Sequence, residues 1–175
     1  MSTTRDRLLS AAEDLVQTLG FGAFSYQQLA DRLKIRKASL HYYFRSKDDL
    51  GVELLRAQQV RLEEILAGLR TTLSPRQKLA AYFEGRKQVL LAGKGVCYSC
   101  VFTAEWNGLS RRLRQAVETY QAMHLGFVTD VMAAGQACGD FHDKATPGHQ
   151  AELVLASIQG ALQTARWRGD PASYD

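Results

Sequence analysis

The chain has 175 residues, 46% of them hydrophobic, and a net charge of +4 at pH 7. This length and apolar content indicate a compact soluble protein of one or two domains. No apolar run approaches the roughly 20 residues that a bilayer-spanning helix needs, and the N-terminus lacks the apolar segment of a signal peptide. We therefore expect a cytoplasmic protein without membrane contact, and three cysteines in that compartment do not predict a disulfide framework.

Apolar residues recur at helical spacing without strand-like alternation, so the predicted fold class is all-α. The first helix is expected to begin near Ser2 or Thr3 and to stop at Gly20. The second begins at Ser25, where Gln28 completes a capping box. A turn at residues 34–36 then leads into a short third helix at about 37–44.

Capping signals divide the rest of the chain into longer helices. Ser46 is predicted to cap a helix ending near Gly68, and Ser74-Pro75 starts one that reaches about Leu91. A short helix follows at about 97–106, Ser110 caps a long helix to about residue 137, and the last helix covers about 149–168. We predict two domains, a three-helix unit at 1–47 and a helical unit at 48–175.

The positive charge is concentrated in the first unit. Residues 1–47 hold eight Lys or Arg against four acids, whereas residues 48–175 hold fourteen of each sign. Such a concentration is typical of a surface that binds phosphates, although an ordinary solvated basic face is the alternative.

The third predicted helix carries the strongest functional signal. At 100° per residue, one arc of about 140° holds Lys37, Ala38, His41 and Tyr42, while Leu40 and Phe44 share another face. Cations, hydrogen-bonding rings and small residues suit the reading of bases and the binding of phosphates. Lys47, in the first turn of the next helix, is placed to contact a phosphate. The alternative is an aromatic patch, formed by His41, Tyr42 and Tyr43, that binds a protein.

Several short motifs over about residues 5–55 carry a resemblance to a known family. They are Arg7-Leu8-Leu9-x-Ala11-Ala12, Gly20-Phe21, Phe24-Ser25, Leu29-Ala30 and Lys37-Ala38-Ser39-Leu40-His41-Tyr42-Tyr43-Phe44-x-Ser46-Lys47-x-x-Leu50. Taken together, they resemble the TetR family of bacterial transcriptional regulators. By position, the family's DNA contacts fall on Lys37, His41, Tyr42, Tyr43 and Lys47, with Ser25 and Tyr26 near the DNA backbone. The chain departs from the usual pattern at His41, at Tyr43 and at Arg36, where a Ser or Thr cap is common.

The resemblance implies a helix-turn-helix domain followed by a helical domain that dimerises and binds a ligand. The expected function is a repressor, not an enzyme, that binds a palindromic double-stranded DNA operator as a homodimer and is released by a small-molecule effector, without a cofactor. The helices beginning near Ser110 and His149 are expected to form the dimer interface. The effector pocket is expected to be lined mainly by aromatic residues, and Arg86, Lys87 or Glu105 would supply the polar contact. The expected lining residues are Tyr82, Phe83, Cys97, Tyr98, Phe102, Trp106, Tyr120, His124 and Phe127.

Cys97 and Cys100 form a separate candidate site. A cysteine near a helix N-terminus and beside Lys94 can have a lowered pKa and react as a thiolate. Residues 97–105 are similar to a Cys-Leu-x-Gly-x-x-x-x-Glu stretch of one TetR subgroup, in which some members sense electrophiles or oxidants and others bind ligands non-covalently. Three readings stay open: a thiol sensor, two buried packing residues, or a metal site extended by Cys138 and His142. We assign no metal.

Two other classes of function remain as alternatives. A helical thiol-redox enzyme would use Cys97 and Cys100, although the βαβ context of a thioredoxin-like motif is missing. A protein-interaction bundle would lose no function when Lys37 and Lys47 are changed to alanine.

Overall fold

The computed structural model describes residues 3–70, 73–91, 97–142 and 144–169, and within these ranges the secondary structure is entirely helical. This confirms the predicted all-α fold. A 3-10 turn, Trp106–Gly108, separates the sixth and seventh helices. The eight α-helices of the described ranges are α1 (Thr4–Leu19), α2 (Tyr26–Leu33), α3 (Lys37–Tyr43), α4 (Lys47–Leu69), α5 (Pro75–Leu91), α6 (Tyr98–Ala104), α7 (Arg111–Cys138) and α8 (Pro147–Arg168).

Local hydrogen bonds fix the start of most helices. Ser25 and Gln28 form the predicted reciprocal capping box of α2, and the Ser46 hydroxyl accepts a bond from the amide of Asp49 at the start of α4. Arg36 provides no side-chain cap for α3. Each of these contacts joins residues three apart or fewer, so the sequence alone predicts them well.

The start of α8 differs from the prediction by two residues. Thr146 accepts a hydrogen bond from the amide of His149, and Pro147 occupies the first helical position. Proline is favoured there because its missing amide proton would have no partner in the first turn. Helix α8 therefore begins at Pro147 instead of His149.

The first three helices share one core with the start of α4. Leu8, Leu29, Leu40 and Leu50 are completely buried, and Phe44 is nearly so. As expected, Leu40 and Phe44 anchor α3. This packing fixes the orientation of α3, so its opposite side faces outward.

The later helices pack around α7, which contacts α4, α5, α6 and α8. The short helix α6 also touches α1, so it lies between the two parts of the fold. Gly51 of α4 shows how tight this junction is, since an added Cβ would lie 2.7 Å from Cε2 of Phe21 and 3.0 Å from Cδ1 of Leu113. The loop after α1, α4 and α7 are therefore in close contact at this junction.

Lys94, expected to lie beside Cys97, falls outside the described ranges. Within the described ranges, none of the helices combines the length and hydropathy needed to cross a membrane.

Candidate nucleic-acid interface and ligand cavity

One side of α3 is exposed to solvent. Lys37, Ala38, His41 and Tyr42 are all exposed, and 84% of Tyr42 is accessible. The Tyr42 ring packs edge-on against Tyr43 at a centroid distance of 5.1 Å. This side therefore offers a cation, an imidazole, a phenol and a small residue, which together can form hydrogen bonds and apolar contacts with base edges.

His41 also contacts its own domain. Its ring lies 5.1 Å from the ring of Tyr26, and its Nδ1 atom lies 3.2 Å from the carbonyl oxygen of Arg45. If the imidazole donates its Nδ1 proton to that carbonyl, its Nε2 atom is left as an acceptor that points away from the backbone contact. The ring is thus held in place while it remains exposed.

Tyr26 is buried, unlike the other residues expected to contact DNA. Its hydroxyl donates to the carbonyl oxygens of Ser46 at 2.5 Å and Phe44 at 3.2 Å. Burial, with the nearby charge of Asp49, raises the pKa of Tyr26 to about 12. The Tyr26 side chain therefore ties α2 to the turn after α3, while the hydroxyl of Ser25 is used as the cap of α2.

Lys47 is turned inward in this conformation. Its ammonium group donates to the carbonyl oxygen of Gly22 at 3.0 Å and lies over the rings of Phe24 and Phe21, at 4.5 and 5.0 Å. Burial lowers the pKa of Lys47, against the opposing effect of Glu105. The Lys47 side chain thus braces the loop between α1 and α2.

Glu105, just after α6, binds the same loop. Its carboxylate accepts a hydrogen bond of 2.6 Å from the amide of Gly22. Lys47 therefore binds the carbonyl of Gly22 and Glu105 binds its amide. The contact between Glu105 and Gly22 attaches the end of α6 directly to the helix-turn-helix. Glu105 was expected to serve the ligand pocket, but it is not among the residues that line the cavity described next.

A cavity of about 370 Å³ opens between α1, α4, α5, α6 and α7. This volume is within the range of small-molecule sites. Five residues predicted to line the pocket do so: Tyr82, Arg86, Cys97, Tyr98 and Tyr120. Helices that are distant in sequence thus supply three tyrosines and Arg86 to one cavity wall.

Three predicted pocket residues lie elsewhere. Phe102 is completely buried, with its ring 5.1 Å from that of Phe21 at the junction of the two parts. Phe83 packs against the common core, and the Trp106 ring lies 5.5 Å from the guanidinium carbon of Arg114. Helical spacing places these residues on the correct helices but does not give the rotation of each helix about its axis.

His124 and Phe127 lie behind the cavity wall. His124 Nδ1 is 2.6 Å from the hydroxyl oxygen of Tyr82, and the Phe127 ring lies 5.5 Å from the Tyr82 ring. Burial, assisted by the charge of Arg86, lowers the pKa of His124 to about 3. His124 is therefore neutral at physiological pH and supports Tyr82 instead of facing a ligand.

Sequence reasoning missed the polar residues that α1 and α4 contribute to the cavity. They are Glu13 and Gln17 from α1, with Gln58 and Arg61 from α4. Arg61 donates to both carboxylate oxygens of Glu13 at 3.0 Å, and Gln58 donates to one of them at 3.1 Å. The only signal in the sequence is that Glu13 and Gln17 lie one helical turn apart beside the apolar stripe of α1.

The two neighbouring cysteines differ in their surroundings. Both are buried, and Arg86 Nη2 donates to Cys97 Sγ at 3.6 Å. The hydrogen bond between the two thiols, followed by burial, raises the pKa of Cys100. Cys100 therefore keeps its proton, and Cys97 is the thiol that lies beside the guanidinium.

Cys138 lies apart from this pair. It is exposed at the end of α7, and its thiol donates to the carbonyl oxygen of Gly135 at 3.6 Å. Among the described residues, no group of three or more His, Cys, Asp and Glu side chains is arranged to hold a metal ion.

Two helices joined by a tight turn, the second buried on one side and exposed on the other, define a helix-turn-helix DNA-binding protein. Residues 8–54 match the family model described as "Bacterial regulatory proteins, tetR family". Residues 8–54 therefore carry the DNA-binding domain of this family of transcriptional regulators.

Relatives along most of the chain agree with this assignment. The transcriptional repressor NemR of Escherichia coli K12 is 25% identical over 175 residues, covering 93% of this chain and 84% of NemR. The repressor NicS of Pseudomonas putida is 27% identical over 165 residues, covering 89% of this chain and 73% of NicS.

Solved structures share the fold. A TetR-family regulator from Agrobacterium tumefaciens superposes with a TM-score of 0.93 at 27% identity, covering 97% of this chain and 90% of that one. The reduced form of E. coli NemR gives a TM-score of 0.82 at 24% identity, covering 98% of this chain and 91% of that one.

Proposed function

We propose that the protein is a cytoplasmic repressor whose homodimer binds a palindromic operator through α3 and releases it when a small molecule enters the cavity. The observation that carries this proposal is the exposed arc Lys37, Ala38, His41 and Tyr42 on a helix anchored by Leu40. The sign of regulation follows NemR and NicS, both of which are named as repressors. In this proposal residues 1–47 bind DNA, and residues 48–175 dimerise and supply most of the effector cavity, to which α1 adds Glu13 and Gln17.

A stripe on α8 suits a dimer interface. Leu153 is 54% exposed and Trp167 74% exposed, and Ala156 and Gly160 lie between them at helical spacing. Space is open where a Cβ on Gly160 would lie, so a partner helix can approach closely there. A symmetric dimer of this kind would present two copies of α3 about 34–36 Å apart, matching one turn of DNA.

Two routes couple the cavity to α3. Glu13 and Gln17 of α1 line the cavity directly, and α6 carries Cys97 before its first residue and Glu105, bound to Gly22, after its last. A ligand that shifts α1 or α6 would tilt the helix-turn-helix. For operator release, the ligand must bind the DNA-free state more tightly than the operator-bound state. A free-energy difference of about 1–3 kcal/mol is typical of allosteric coupling.

Changing Lys47 to alanine is expected to weaken binding to every DNA sequence. If the ammonium group leaves Gly22 and contacts a phosphate, the slope of log affinity against log salt becomes shallower by about one unit. Fluorescence anisotropy at several salt concentrations measures this slope.

Glu105→Gln is the matched control, because it loosens the same loop without removing a cation from the DNA-binding side. Its salt slope should equal that of the wild type. An unchanged slope in Lys47→Ala, with a lowered melting temperature, would show that Lys47 only braces the loop. Unchanged affinity in both Lys47→Ala and Tyr42→Ala would contradict DNA binding through this face.

Release by an electrophile is a second candidate response, favoured by the contact between Arg86 and Cys97. A Cys97 thiolate would add to a ring carbon of a quinone, forming a C–S bond. The electron pair would move to one quinone oxygen, which takes up a proton, and the hydrogen of the attacked ring carbon would pass to the other oxygen to give the hydroquinone thioether. Burial of a bulky adduct would displace α6 and, with it, Glu105.

Cys97→Ser is therefore expected to abolish operator release by a quinone, whereas Cys138→Ser should release normally. Anisotropy of a labelled operator before and after quinone addition checks both variants, and mass spectrometry locates the adduct. Persisting release by Cys97→Ser would show that this cysteine only packs. Catalytic turnover of a dithiol substrate would instead support the thiol-redox enzyme.

A further inference from the structure

The two arginines that line the cavity have different partners. Arg61 is neutralised by the carboxylate of Glu13. In the described part of the chain, Arg86 has no carboxylate within ion-pair distance, and its Nε atom is enclosed without a hydrogen-bond partner. The cavity therefore holds one arginine with its charge balanced and one without a carboxylate.

The groups around Arg86 keep it charged. Burial alone would lower the pKa of Arg86, but the negative charge that Cys97, Tyr120 and Tyr82 can carry raises it. Burial in turn raises the pKa of Tyr120 to about 12, so this phenol remains a neutral donor. While Cys97 is a thiol, the guanidinium has no counter-charge among these neighbours.

Enclosed charges in proteins are normally paired, because a charge removed from water without a partner is strongly destabilised. A guanidinium with an unused Nε atom can present two parallel N–H donors to a carboxylate. The Tyr120 phenol, which keeps its proton, offers a further donor beside the guanidinium. Cation and phenol donors together match an anion better than a neutral ligand.

We propose that the cavity binds a small organic carboxylate, most suitably an aromatic one, whose carboxylate pairs with the guanidinium of Arg86. This rests on the proposed function of the cavity as the effector site and names the chemical class of the effector. The tyrosine-rich walls and the volume of about 370 Å³ suit a molecule built on one aromatic ring.

The same guanidinium contacts Cys97, which gives the proposal a second consequence. A bound carboxylate would pair with the guanidinium of Arg86. A thiolate at Cys97 would then lose its stabilising cation and lie near a second negative charge. Ligand binding and thiolate formation therefore compete for one cation. The carboxylate is expected to protect Cys97 from alkylation.

The first experiment compares acids with their uncharged amides by thermal unfolding and calorimetry, without DNA: formate against formamide, and benzoate against benzamide. Formate tests the charge contact alone, because it is too small for the shape of the cavity to exclude it. In the wild type and in the surface control Arg76→Met, each acid should stabilise the protein more than its amide. In Arg86→Met, which keeps the volume and removes the charge, the difference should disappear. Equal shifts for acid and amide in the wild type, or an acid effect that survives in Arg86→Met, would overturn the proposal.

A second measurement does not depend on the Arg86 variant being folded. In a Cys138→Ser background, iodoacetamide modification of Cys97 is followed by mass spectrometry with benzoate or benzamide present at equal ionic strength. Benzoate is expected to slow the reaction about tenfold, the effect of raising a thiol pKa by one unit. Equal rates with both compounds would contradict the competition for Arg86.

Operator release separates this proposal from the repressor hypothesis. Carboxylates that bind but leave the operator complex intact would support the Arg86 site and refute effector control through the cavity. Operator release by neutral ligands alone, with no acid bound, would support the repressor hypothesis and contradict the proposal that the effector is a carboxylate.

Discussion

Tyr42→Ala is expected to lower the affinity for the operator by about 1–3 kcal/mol, roughly a factor of 5 to 150, and to flatten discrimination between operator variants. The side chain is 84% exposed, and its ring contact is with Tyr43 on the same helix. Its removal should therefore leave the core, anchored by Leu40 and Phe44, unchanged. Binding to unrelated DNA should persist, because the basic residues that contact phosphates are retained.

Fluorescence anisotropy with the operator, mutated operators and unrelated DNA measures this effect. Tyr42→Phe serves as the matched variant because it keeps the ring and removes only the hydroxyl, so comparison with Tyr42→Ala separates apolar contact from hydrogen bonding. Equal melting temperatures would show that the fold is intact. If Tyr42→Ala distinguished operators as well as the wild type does, α3 would not read bases through this residue.

Loss of stability in acid is the second large effect expected. Burial, with the charge of Arg86, lowers the pKa of His124 from its ordinary 6.5 to about 3. Between these values the unfolded chain binds a proton that the native protein does not. Stability is therefore fully present above pH 6.5 and is lost as the pH falls towards 3, by up to about 1.4 kcal/mol for each pH unit.

Urea unfolding at a series of pH values isolates this contribution. His124→Gln preserves a polar partner for Tyr82 without a titrating ring, so its free energy of unfolding should fall less steeply between pH 6 and 4 than that of the wild type. His149→Gln, at an exposed position on α8, is the matched control and should keep the wild-type slope. The same slope in His124→Gln and wild type would show that His124 is not the responsible group.

The parts of the fold that were predictable are set by contacts between near neighbours. The caps at Ser25, Ser46 and Ser110 each join residues three apart, and the burial of Leu40 and Phe44 follows from helical spacing. The function of α3 was predicted from the resemblance over residues 5–55, because the helical spacing of its residues does not by itself indicate DNA binding.

The details that were missed depend on how helices pack against one another. Nothing near Glu13 in the sequence indicates that Arg61, 48 residues later, pairs with it in the cavity wall. In the same way, Lys47 turns inward because Phe21 and Phe24 fold back over it, and Phe102 packs against Phe21 instead of facing a ligand. Such positions depend on the rotation of each helix, which the periodicity of one helix does not determine.

The most direct test of the proposed repressor is a fluorescence anisotropy titration of the purified protein against the DNA flanking its own gene, at two salt concentrations, with unrelated DNA of equal length. We predict tight, sequence-selective binding that weakens at the higher salt, as phosphate contacts require. Equal and weak binding to both DNAs at both salt concentrations would contradict operator recognition by α3.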